Sequence, residues 1–198
     1  MSMPPETRYS LLLRVGDPAD GQAWLEFWRL YEPVVYRLGR QFGLQDADAQ
    51  DLTQDVMAAV ARAIPSWQPD SARGRFRTWL YTVVRNKTIA ALRRRRPTDR
   101  GTADTDVFNN IEARPIGASA AFELEVRRAA FQQAAERVRP QFHVTSWEAF
   151  WQTSVLGHSI GETAKVLKIS IGSVYAARSR ILARLRSEAE AMLEDELE

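Results

Sequence analysis

Cysteine is absent from this 198-residue chain, and histidine occurs only as His143 and His158. The first absence removes disulfides and thiolate metal sites and fits a reducing compartment. Two isolated histidines fall short of the three or four clustered groups that hold a metal, so both read as surface or packing residues. No apolar run approaches the roughly 20 residues of a membrane span, and the first twenty residues carry no signal-peptide core. A cytoplasmic protein without membrane insertion is therefore expected. Period-two alternation is nearly absent, which argues against strands. There is no acidic triad for magnesium, no phosphate-cradling glycine loop and no nucleophile–base pair in a suitable sequence context. Neither an enzymatic activity nor a cofactor is expected.

What is present is a polarised distribution of charge. With 45% hydrophobic and 26% charged residues, the chain has the composition of a globular protein of one large or two small domains. Its formal net charge is +2, yet residues 65–100 hold ten Lys or Arg against two Asp. The segment from Arg73 to Arg96 joins an apolar helical stripe, the aromatics Phe76, Trp79 and Tyr81, and this cationic excess. Phe76, Leu80, Val83 and Val84 point one way, toward a core. Thr78, Thr82, Arg85, Asn86 and Arg93 share another face, suited to nucleic acid.

Turn formers without a sustained period fill residues 97–118. A stretch of that length is uncommon inside one compact domain. The expected fold is therefore all-α, with two small helical domains at 7–96 and 119–190, a flexible linker at 97–118 and an acidic tail at 191–198. In the first domain, residues 22–40 carry Leu25, Trp28, Val35 and Leu38, interrupted by Pro33. A helix over residues 46–64 has an apolar stripe of Leu52, Val56, Ala59 and Ala63 beside an acidic one of Asp48, Asp51 and Asp55. In the second domain, residues 119–139 present Phe122, Val126, Ala129 and Ala130 inward until Pro140 stops the helix, and an aromatic helix spans 145–156.

The C-terminal pattern is sharper. Ser159-Ile-Gly-Glu162 is a capping box opening a helix with Ile160, Ala164 and Leu167 inward. Lys168-Ile169 makes a short turn, and Ser170 caps a second helix whose buried stripe is Val174, Ala177, Ile181 and Leu185. Ser173, Ala176, Ser179 and Arg180 lie opposite, with Tyr175 at the edge. Small residues there allow close approach to a major groove, and Arg178, Arg184 and Arg186 reach phosphates. Residues 188–198 hold six acidic and no basic residues. They read as a solvated helix end, the alternative being a segment folded back on the basic surfaces.

The order of these parts resembles the extracytoplasmic function (ECF) sigma factors of bacteria, from about Gln22 to Arg186. Asp51-Leu-Thr-Gln-Asp-Val resembles the family's polymerase-binding signature in region 2. Phe76-x-x-Trp-Leu followed by Arg85-Asn86 resembles its promoter-melting helix. The resemblance implies a region 2 helical bundle and a region 4 helix-turn-helix, with core RNA polymerase and promoter DNA as partners. It also implies an anti-sigma factor or another regulatory protein. It implies that Asp48, Asp51, Gln54 and Asp55 contact the polymerase. Trp67, Arg73, Arg75, Arg77, Thr82, Arg85, Asn86 and Arg93 would engage the −10 element. Ser173, Tyr175, Ala176, Arg178, Ser179, Arg180 and Arg184 would face the −35 element. Tyr175 departs from the family, which usually has Lys or Arg there. Read without the resemblance, the residues leave open a helix-turn-helix repressor or activator whose first domain senses a signal or dimerises.

Overall fold

A computed structural model describes residues 9–67, 76–95 and 120–193, and all regular structure in them is helical. The helices are α1 (Tyr9–Val15), α2 (Gly21–Gln41), α3 (Asp46–Ala63), α4 (Phe76–Arg95), α5 (Ala120–Val138), α6 (Val144–Ser154), α7 (Ile160–Leu167) and α8 (Ile171–Leu193). Single 3-10 turns follow α3 (Ile64–Ser66) and α5 (Arg139–Gln141), each with a proline in its first positions. The chain forms two compact units, and the boundary between them falls inside α5, between Ala129 and Ala130. The interdomain segment expected at 97–118 lies outside the described residues, as does most of the expected acidic tail.

In the first unit α2 begins at Asp20, whose carboxylate accepts from the Ala23 N–H at 2.8 Å and from Arg14 Nε at 2.8 Å. One cap thus also ties α1 to α2. Pro33 does not interrupt α2, contrary to the sequence expectation. It costs one backbone hydrogen bond, but Leu30, Tyr31, Val34 and Val35 on the flanking turns are all buried and hold the helix in place. The expected inner face of α2 also shifts. Leu25 is exposed and Trp28 half-buried, while Phe27, Leu30, Tyr31, Val34 and Leu38 make the core.

Helix α2 ends in a Schellman motif. The Leu44 N–H donates to the Gly39 carbonyl and the Gly43 N–H to that of Arg40, with Gly43 at φ +85°. This reverses the chain into α3. The two helices approach so closely that a Cβ on Gly39 would lie 3.0 Å from Leu52 Cδ2 and 3.3 Å from Ala49 Cβ. The buried face of α3 is Ala49, Leu52, Thr53, Val56, Met57 and Val60. The expected Ala59 and Ala63 are only half-buried, because the stripe continues one position later, at Val60 and Ile64.

Phe76 is the hub of this unit. Its ring lies 5.8 Å from Phe27, 5.9 Å from Tyr31, 5.4 Å from Trp67 and 5.5 Å from Trp79. Edge-on and tilted geometries of this kind add to area burial.

In the second unit α6, α7 and α8 share a small core of Ala149, Ala164, Val174 and Ala177, sealed by Ile160, Leu167 and Ile169. The predicted stripe of α8, Val174, Ala177, Ile181 and Leu185, is buried throughout. The four predicted inner residues of α5 are buried as well, Phe122, Val126 and Ala129 in the first unit and Ala130 in the second.

Candidate nucleic-acid interface

The helix-turn-helix is built from local signals. The Ser159 hydroxyl accepts from the Glu162 N–H at 3.2 Å, and Glu162 returns a carboxylate to the Ser159 N–H at 3.3 Å, so the capping box is formed. Hydrogen bonds from Ser159 hold the Glu162 carboxyl below its usual range. Helix α7 then ends in a second Schellman turn, with the Lys168 N–H on the Lys165 carbonyl and the Ile169 N–H on that of Ala164. Lys168 itself takes the left-handed conformation at φ 53°, a place usually given to glycine. Ser170 caps α8: its hydroxyl accepts from the Ser173 N–H at 3.0 Å and lies 2.8 Å from the Ser173 hydroxyl.

On α8 the expected DNA-facing residues Ser173, Tyr175, Ala176, Ser179 and Arg180 are exposed, and Arg178 is half-buried. Arg180 Nε folds back to the Ala176 carbonyl at 3.3 Å. Arg184 is held by its own unit: its Nε donates to Gln141 at 3.0 Å and its Nη2 lies 3.2 Å from Glu188. Ile171, not singled out in the sequence, and Lys168, placed there only as part of the turn, are both exposed at the start of this surface.

On α3, Asp51, Gln54 and Asp55 are exposed along one face, with Asp48 half-buried beside them. Asp55 lies 4.0 Å from Lys87 of α4, a surface pair of small energetic weight. Asp46 accepts from Tyr36 and from Gln50, so it serves the start of α3 rather than the exposed stripe.

The polar face of α4 carries Asn86 and Arg93 exposed and Thr82 and Arg85 half-buried. Thr82 donates to the Thr78 carbonyl at 2.9 Å, which uses its hydroxyl hydrogen within the helix. Trp67 is half-buried edge-on against Phe76. Arg73 and Arg75 lie outside the described residues.

Arg77 requires correction. Expected on the DNA face, it is fully buried, with Nη1 3.1 Å from Glu123 of α5. Burial pushes its pKa down, but Tyr31 and Glu123 outweigh that effect and leave it raised. The helical register contained the signal: Arg77 is in phase with Tyr81, Val84 and Thr88, all of zero exposure. Close by, the buried Glu125 accepts from Arg37 at 2.5 Å, Gln41 at 2.9 Å and Arg128 at 2.9 Å. Nothing local in the sequence of α5 marked Glu123 and Glu125 as partners of residues some 46 and 88 positions earlier.

Among the described residues no helix is long and apolar enough to cross a membrane. Two surfaces therefore define the molecule: an acidic face followed by a cationic helix in one unit, and a capped helix-turn-helix in the other. Residues 27–98 match the sigma-70 region 2 family. The chain is 28% identical over 166 residues to the ECF RNA polymerase sigma factor SigE of Mycolicibacterium smegmatis, covering 84% of this chain and 60% of that protein. It is 28% identical over 133 residues to RpoE of Cereibacter sphaeroides, covering 65% and 67% of the two chains. A solved structure of CnrH in complex with the cytosolic domain of CnrY overlaps 92% of this chain and 96% of that one, at 22% identity and a TM-score of 0.36. Residues 27–98 thus match sigma-70 region 2, and the chain is similar to ECF sigma factors, spanning three fifths of the length of the SigE relative.

Proposed function

We propose that this protein is an RNA polymerase sigma factor of the ECF type that binds core polymerase, directs it to promoters and assists melting. It acts in the cytoplasm as a binding subunit rather than an enzyme, and it uses no cofactor. The acidic face of α3, with Asp48, Asp51, Gln54 and Asp55, binds the polymerase. Trp67, Arg73, Arg75, Arg85, Asn86 and Arg93 engage the −10 element, with Thr82 lining that face. Helix α8 places Ser173, Tyr175, Ala176, Arg178, Ser179 and Arg180 against the −35 duplex, and Arg184 contributes once released from Glu188. An anti-sigma factor or another regulatory protein completes the partners.

The observation that carries this reading is the pairing, in one chain, of a region 2 match with a formed helix-turn-helix in a separate compact unit. A repressor or activator would need only the second of these. The test is competition with the housekeeping sigma factor for sigma-free core polymerase of the host. Displacement is expected, and charge reversal at Asp51 and Asp55 should abolish it. Tight promoter binding without any affinity for active core would favour a conventional repressor or activator.

A further inference from the structure

The first two turns of α8 hold an apolar pair that the helix-turn-helix itself does not use. Ile171 and Tyr175 are 55% and 56% exposed, while the core of the unit is formed by Val174, Ala177 and Ile181 from the other side of the helix. At i and i+4 the two side chains are neighbours on one face, with Cβ atoms about 5–6 Å apart. Large apolar residues scattered singly on a surface need no explanation. Two together at the entry of a recognition helix do.

The chemistry of the segment narrows what this pair could meet. Residues 171–177 contain no guanidinium, ammonium, carboxamide or carboxylate group. The hydroxyls of Ser170 and Ser173 face each other at 2.8 Å across the N-cap. The groups that distinguish guanine, adenine and cytosine by paired hydrogen bonds are therefore missing from the turns that enter the groove first. Gly172 and Ala176 beside the pair add no bulk to hold the backbone away. Charge fixes the class of partner: residues 171–187 carry four arginines and no acidic residue, and Lys168 stands exposed just before them. That surface suits a polyanion. Among base edges in the major groove, the one apolar feature is the 5-methyl group of thymine.

We propose that Ile171 and Tyr175 form an apolar reading edge for thymine methyl groups, so that thymine methyls are a determinant of the −35 sequence this protein selects. The inference rests on the initiation-factor reading and assigns the chemistry of its duplex contact. Tyr175 contributes through its ring, and Ile171 extends the contact by one helical turn.

The test uses the full chain with sigma-free core polymerase of its host and a promoter library randomised across the −35 region. Each thymine in the selected sequence is then replaced singly by deoxyuridine, which removes the methyl and leaves the hydrogen-bonding edges unchanged. Loss of about fourfold in affinity is expected at one or two positions, the effect of removing one buried methyl group. Tyr175→Phe should keep this sensitivity. The Ile171→Ala/Tyr175→Ala double variant should lose it while retaining its helical content, since both side chains lie outside the core. A defined −35 selection with no deoxyuridine effect anywhere would overturn the inference alone. Persistence of the effect in the double variant would do the same. Failure to form a holoenzyme would remove the initiation-factor reading and the inference with it.

Discussion

Replacing Glu123 by alanine would leave the Arg77 guanidinium at zero exposure without its carboxylate. Removing one member of a buried ion pair costs about 3–5 kcal/mol, because the remaining charge stays desolvated. Glu123 keeps 13% side-chain exposure and Tyr31 also faces Arg77, so some compensation remains and the lower end, about 3 kcal/mol, is expected. That is a large share of the 5–15 kcal/mol typical of a domain. With a urea slope of about 2 kcal/mol/M, the midpoint should fall by about 1.5 M. The double variant Arg77→Met/Glu123→Leu removes both charges at similar volume and should lie within about 1 kcal/mol of the parent. The two compact units can unfold separately, so the signal must come from the first one alone. Trp147 and Trp151 are the only tryptophans of the second unit, and changing both to phenylalanine leaves four reporters in the first. A shift below about 0.5 M for Glu123→Ala, or a double variant as unstable as the single one, would refute the argument that Arg77 is held by a buried pair.

Two further outcomes follow from the helix-turn-helix. Lys168 adopts a left-handed conformation that costs a non-glycine residue roughly 1–2 kcal/mol; Lys168→Gly should therefore stabilise the second unit by about 1 kcal/mol after the added freedom of the unfolded chain is subtracted. Thermal unfolding of the parent and the variant decides it, and an unchanged or lower midpoint would count against strain at that turn. The Glu162 carboxyl is held below its ordinary value of 4.5 by Ser159. Its contribution is thus fully present above that pH and is lost as pH falls through the lowered value. The stability difference between the parent and Glu162→Gln should shrink on acidification from pH 6 to pH 3, as read from urea midpoints at each pH.

The second unit was legible in the sequence because its instructions are local. A capping box, a serine cap and an i, i+3, i+7, i+11 stripe each operate within a few residues, and the structure realises them from Ser159 to Leu185. The first unit was less legible. The core face of α2 is rich in apolar residues on several sides, so periodicity alone placed Leu25 inside and passed over Phe27. Pro33 read as a break because the energy that carries the helix through it comes from tertiary packing. Arg77 was placed at the −10 element through the family resemblance, together with the other cations of its segment. Its phase with Tyr81 and Val84 pointed inward, but a buried arginine needs a partner, and that partner sits 46 residues away in α5. Long-range pairing of this kind has no signature in either segment taken alone.

The tethering of arginines has a consequence for the ionic-strength response of any complex with DNA. Each cation that neutralises a phosphate releases about 0.9 of a condensed counterion from duplex DNA. Counting every Lys and Arg on α4 and α8 would overstate that release. Arg77 already faces Glu123, and Arg184 already faces Glu188 and Gln141. While those pairs persist, the salt dependence of binding is shallower by about two ions than the formal charge of the segments suggests. Part of the protein's cationic character is thus committed to internal pairs, and any complex with DNA would owe correspondingly more to shape and base contact than composition alone implies.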